Sequence, residues 1–113
     1  MSKEISNQAA WVVLLLAGLF EIGYAISVGS SKAFTELGWS LLAGAFFLAT
    51  LFCLSIALKK IEVGIGYAVW AGIGAVGAVI FGGLLLDQPV TPEQAFWLAI
   101  IIFGVIGLKL ADG

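Results

Sequence analysis

Glu21 is the one acidic or basic side chain deep within the apolar runs of this chain, midway along residues 11–28. An ionised carboxylate at the centre of a membrane-spanning helix costs about 3 kcal/mol on insertion scales. Two things relieve that cost: a proton, or a cation held against the carboxylate. If both compete for one group that faces alternate sides of a membrane, inward proton flow drives outward cation flow. Helical spacing puts Ala17, Gly18, Tyr24, Ala25 and Val28 on the Glu21 face. The small pair Ala17 and Gly18 leaves room, one turn before the acid, for a ligand or for a close helix. A protonated carboxyl hydrogen-bonded between helices is the purely structural alternative.

Other polar groups could complete a pocket around it. Thr50, within the run 37–58, can donate its hydroxyl to a carboxylate or fold it back on its own helix backbone. Tyr67 and Trp70, three apart in the run 63–86, share a helix face, and each joins an aromatic ring to one polar hydrogen. Such rings hold cations over their faces and orient carboxylates through O–H or N–H. Anchoring at the membrane interface is the other use of aromatics in such runs. Gly72, Gly74 and Gly77 spell GxGxxG, but a dinucleotide-binding turn needs a preceding strand and a water-exposed helix start. These glycines therefore read as packing and hinge positions. Gly104 and Gly107, in a last run without polar pocket residues, read as a packing seam, and Cys53 as a small buried hydrophobe. With no histidine, one cysteine and no second intramembrane carboxylate, the chain offers neither a metal site nor an acid–base pair. No cofactor is expected, and the chain does not read as an enzyme.

The elements that must position these residues follow from composition. Of 113 residues, 62% are hydrophobic and 11% charged, with a mean hydropathy of +1.16, whereas soluble domains are about 25% charged. The bilayer is the solvent that fits. Four apolar runs, 11–28, 37–58, 63–86 and 95–110, each approach the roughly 20 residues of a spanning helix. A barrel would alternate apolar with polar positions, and runs such as 11–16 and 100–103 are apolar on both faces. Lys3 ahead of residues 11–20 has the outline of a secretory leader, yet Glu21 breaks that run and three more follow. One all-α membrane domain over 1–113 results, its short links forcing an up-down-up-down bundle. Thr91-Pro-Glu-Gln94 reads as a helix N-cap with proline in the first turn. Lys3, Lys59, Lys60 and Lys109 fall on one side and Lys32 on the other, which favours cytoplasmic termini. The net charge of −2 carries no basic tract for nucleic acid.

Transporters that open to alternate sides are commonly built from inverted repeats around a mid-membrane site. The two halves of this chain are not repeats, because Glu21 has no counterpart in the last two runs. An inverted dimer would supply the missing symmetry and a pair of Glu21 carboxylates.

Ala17-Gly-Leu-Phe-Glu-Ile-Gly-Tyr-Ala25, Lys32-Ala-Phe-Thr35 and the stretch from Val63 to Gly77 resemble the small multidrug resistance family, in register over nearly all of the chain beyond its first ten residues. The resemblance implies antiparallel dimers in the cell's inner (plasma) membrane, with the first three spans lining a chamber and the fourth making the dimer contact. It also implies proton-coupled export of small cations by Glu21. Residues 70–78 and 104–109 are more similar to the guanidinium exporters of that family than to its quaternary-ammonium pumps. In that subtype the central Glu is held by positions that here are Tyr24, Thr50, Tyr67 and Trp70, with Tyr24 standing where a Trp is usual. Gly29 replaces a common Lys, and Ala71 a common small hydroxyl residue. Guanidinium, which pairs with a carboxylate through two N–H bonds, and quaternary ammonium ions, which need ring faces, both stay open as substrates. A homodimer is the first expectation. The lysine bias and the altered positions leave one subunit of an obligate heterodimer as the alternative, and a non-transporting assembly subunit as a third.

Overall fold

The computed structural model describes residues 6–112; Lys3, counted above with the cytoplasmic lysines, lies outside them. Their regular structure is entirely helical: α1 (Asn7–Ser30), α2 (Leu37–Ala57), α3 (Val63–Leu85) and α4 (Pro92–Asp112). All four are long and apolar enough to cross a membrane. At 1.5 Å per residue the 24 residues of α1 reach about 36 Å, more than the roughly 30 Å of a hydrocarbon core.

Local chemistry sets the helix ends. The Ser6 side chain accepts from the Ala9 N–H at 3.1 Å and so pairs one of the N–H groups that a helix start leaves open. At the start of α4, the Gln94 N–H donates to Thr91 Oγ1 at 3.1 Å while the Thr91 N–H donates to Gln94 Oε1 at 3.2 Å. This is the reciprocal cap that the Thr-Pro-Glu-Gln pattern predicts. α1 stops at Ser31, whose hydroxyl donates to the Val28 carbonyl at 2.8 Å and accepts the Phe34 N–H at 3.0 Å. Beyond it Lys32, Ala33 and Phe34 are all left-handed, at φ 53°, 61° and 66°. Their turn closes through the Thr35 and Glu36 N–H groups on the Ser31 carbonyl.

The helices alternate in direction, but they do not close into the bundle expected from the short links. α1 packs on α2 and α3, while α4 lies against α3 alone along the helix backbones and buries no residue. The molecule measures 44 × 34 × 17 Å, and 17 Å is under two helix diameters of about 10–12 Å. The reason lies in the surface: no helix has a polar back, so none gains by enclosing another when lipid is the solvent. Phe103, 78% exposed, and Leu110, 74% exposed, show how far α4 stands out.

The buried cluster gathers at one edge, where Ala10, Trp11, Leu14 and Ala17 of α1 meet Leu54 and Ala57 of α2, Ile61 of the link and Val69 of α3. α4 reaches this edge through its C-terminal half, where Val105 and Leu108 pack against the cluster. The Trp11 indole N–H donates to Asp112 Oδ2 at 2.9 Å, and the Lys109 ammonium stands 5.1 Å from the centre of the Trp11 ring.

Candidate functional site

Reciprocal notches fix the register of α3 on α1. Gly18 of α1 is the bare backbone against which Ile73 of α3 packs, and Gly77 of α3 receives the side chain of Ile22. A side chain at either glycine would collide with its partner. Close approach of helices through small residues is how spanning helices gain van der Waals contact where lipid removes the hydrophobic drive. Of the two uses that the Ala17–Gly18 pair allowed, the structure realises the close helix. Between these two contacts lies Glu21, half-buried, its side chain packed against Gly74.

A chain of hydrogen bonds joins α3 to α1 through α2. The Trp70 indole N–H donates to Thr50 Oγ1 at 2.8 Å, and the Thr50 hydroxyl donates in turn to the Ala17 carbonyl at 2.6 Å. Thr50 is 1% exposed and Ala17 wholly buried. Neither of the two destinations considered for the Thr50 hydroxyl, the Glu21 carboxylate or its own helix, is the one it takes. It grips the backbone one turn before Glu21, at the carbonyl that the helix ladder pairs with the Glu21 N–H. The bond anchors the turn that carries the acid instead of binding the acid.

The aromatic residues divide. The rings of Tyr67 and Trp70 lie 4.9 Å apart at 60°, with Tyr67 exposed and Trp70 half-buried, so α3 presents them together next to the Thr50 hydroxyl. Tyr24 turns to α2, where its ring lies 5.5 Å from that of Phe47 at 42°. Among the glycines, Gly72 faces Val105 and Ile101 of α4, while Gly104 and Gly107 meet nothing within 4 Å, so any seam they form is with something beyond this chain.

The Glu21 carboxylate accepts no hydrogen bond and joins no ion pair from the described residues. A carboxylate in the middle of a spanning helix without a protein donor has its charge uncompensated, which low-dielectric surroundings penalise. Chemically, the arrangement can bind a proton or a cation at Glu21, while the Trp70 indole N–H is already engaged by Thr50. Reasoning from sequence missed Gly74 as a neighbour of Glu21. The signal was present in its spacing, since Gly74 follows Trp70 by one helical turn on the same face.

The chain is similar to known proteins over most of its length. A family model described as Small Multidrug Resistance protein matches residues 9–101. The guanidinium exporters of Citrobacter freundii and Klebsiella oxytoca are 44% identical to this chain over 102 residues, covering 90% of it and 97% of each relative. The guanidinium exporter of Salmonella typhi is 40% identical over the same length and coverage.

Proposed function

This chain belongs to the Small Multidrug Resistance protein family, and on that premise we propose that it is a proton-coupled antiporter that exports small organic cations across the inner membrane. Guanidinium and small guanidinyl compounds are the first substrates of this reading, since relatives that this chain matches over 97% of their length carry the name guanidinium exporter. Quaternary ammonium compounds are the second. The observation that carries it is the Glu21 carboxylate, unpartnered among the described residues and set in mid-span on a turn that is fixed by Thr50.

The cycle follows from charge neutrality. With a proton on Glu21 the site is neutral and can be carried through the membrane interior. When the proton leaves, the carboxylate must take a cation or stay charged in low dielectric, and the second option is disfavoured by several kcal/mol. A planar guanidinium offers two N–H donors to the two carboxylate oxygens, with Trp70 and Tyr67 supplying ring faces for its charge. A slab 17 Å thick cannot wall a pathway by itself. Two chains in antiparallel orientation, meeting through the open α4 face, would enclose a chamber holding two Glu21 side chains and supply two equivalent states for exchange.

Uptake of radiolabelled guanidinium and of tetraethylammonium into acid-loaded proteoliposomes tests the reading. The parent protein accumulates guanidinium as protons leave, and Glu21→Gln does not. Equal accumulation by Glu21→Gln would remove Glu21 from the mechanism.

The lysines favour a second reading. Lys59, Lys60 and Lys109 share one edge against Lys32 on the other, a bias that suits a chain of one orientation paired with a different, oppositely oriented subunit. Transport by this protein purified alone contradicts the heterodimer.

A further inference from the structure

Across the α1–α3 contact Glu21 meets a backbone and no side chain. Gly74 is buried, and a Cβ built on it would stand 2.5 Å from Glu21 Cγ, 3.4 Å from its Cβ and 3.7 Å from its Cδ. The three nearest atoms all belong to the acid. Carbons pack at about 3.5–4.0 Å, so a methyl group at this position drives the stem of Glu21 away by about 1 Å. Positions three or four apart along α3 thus run from two large rings at Tyr67 and Trp70, packed on each other, to two bare positions at Gly74 and Gly77, the first taking Glu21 and the second Ile22.

We propose that Gly74 is a positioning residue for Glu21: its exposed backbone is the seat on which the carboxylate stem rests, and the seat fixes where the carboxylate meets a cation. The inference rests on Glu21 as the cation-binding group. It differs from a hinge, because a hinge acts through the flexibility of α3, and Gly72 two residues earlier would share that role. Gly72 turns away from Glu21, toward Val105 and Ile101 of α4. Two-point pairing with guanidinium depends on the direction of the carboxylate, so a displaced stem weakens it even when α3 remains straight and folded.

Two measurements on the purified full chain test the seat. The first is a double-mutant cycle in thermal stability. Gly74→Ala lowers the unfolding midpoint by several degrees when Glu21 is present. In Glu21→Ala, which lacks Cγ and Cδ, the same substitution leaves the midpoint unchanged or raises it, since alanine favours a helix over glycine. Equal shifts in the two backgrounds overturn the seat. The second is guanidinium affinity, followed by tryptophan fluorescence. Gly74→Ala loses at least tenfold, whereas Gly72→Ala, made together with Val105→Ala because its methyl would otherwise stand 2.7 Å from Val105 Cγ2, stays within twofold of Val105→Ala alone. A parallel loss in Gly72→Ala overturns the seat in favour of a hinge. Because the stability cycle needs no ligand, a coupled cycle in a protein that binds no guanidinium supports the seat while it contradicts the proposed function.

Discussion

Replacing Thr50 by valine keeps the branched shape of the side chain and deletes only the hydroxyl that joins three helices. Two hydrogen bonds go with it, the one to the Ala17 carbonyl at 2.6 Å and the one from the Trp70 indole at 2.8 Å. Side-chain hydrogen bonds between spanning helices average about 0.6 kcal/mol in double-mutant cycles, which gives roughly 1.2 kcal/mol for the pair. The Ala17 carbonyl keeps its partner in the helix ladder, but the half-buried Trp70 N–H has no replacement and adds about 1 kcal/mol for an unsatisfied donor. The sum is about 2 kcal/mol, or a roughly 30-fold shift of the unfolding equilibrium. Reversible unfolding in mixed micelles, followed by tryptophan fluorescence, reads this directly. Thr50→Ser retains the hydroxyl and serves as the conservative variant, expected to lose only about 0.8 kcal/mol, the order of one buried methyl group. Guanidinium binding should weaken in Thr50→Val as well, because Trp70 and the Glu21 turn lose their shared anchor. A valine variant as stable as the serine variant would show that the hydroxyl does not tie α1 to α3, and the account of how Glu21 is held would fail.

Two further substitutions probe other parts of the fold. Ala33 is left-handed at φ 61°, a conformation that costs an L-residue about 1–2 kcal/mol and glycine almost nothing; Ala33→Gly should therefore raise stability by about 0.5–1 kcal/mol after the entropy of glycine is counted, and an unchanged or lower unfolding midpoint would contradict the turn geometry. Gly107 meets nothing within 4 Å in its own chain, so Gly107→Leu should leave the helical content and the fold of the single chain intact while abolishing energy transfer between donor- and acceptor-labelled copies in liposomes; undiminished transfer would place the contact between copies elsewhere than on the α4 face.

Hydropathy suffices to mark where this chain crosses a membrane, because a spanning segment is defined by a solvent-scale property that sums over about 20 residues. The isolation of Glu21 is visible in the same way, as one charge where none is expected. Periodicity also puts Tyr67 and Trp70 on one face, and the structure has their rings in contact. Spacing assigns a face, however, and never a partner. Nothing in the position of Thr50 says that its hydroxyl crosses to the Ala17 carbonyl, since that depends on a register between α1 and α2 that only packing decides. The same holds for Tyr24, whose ring finds Phe47, and for Gly74, whose role follows from what lies opposite it. The open slab was not legible either. Short links dictate which helices alternate, but closure of a bundle requires a reason to bury faces, and lipid removes that reason for a chain apolar on all sides. The left-handed turn at residues 32–34 contains no glycine, so its usual sequence marker is missing, and the buried hydroxyl of Ser31 holds it together instead.

The central claim is that one carboxylate serves proton and cation in turn. Proteoliposomes containing this chain alone, loaded with a pH-sensitive dye and held at zero membrane potential, test it when guanidinium is added outside. Exchange at Glu21 predicts that the lumen turns alkaline as protons leave against entering guanidinium, and that Glu21→Gln vesicles show no change. Guanidinium entry without proton movement in the parent, or proton-coupled entry that persists in Glu21→Gln, would contradict it.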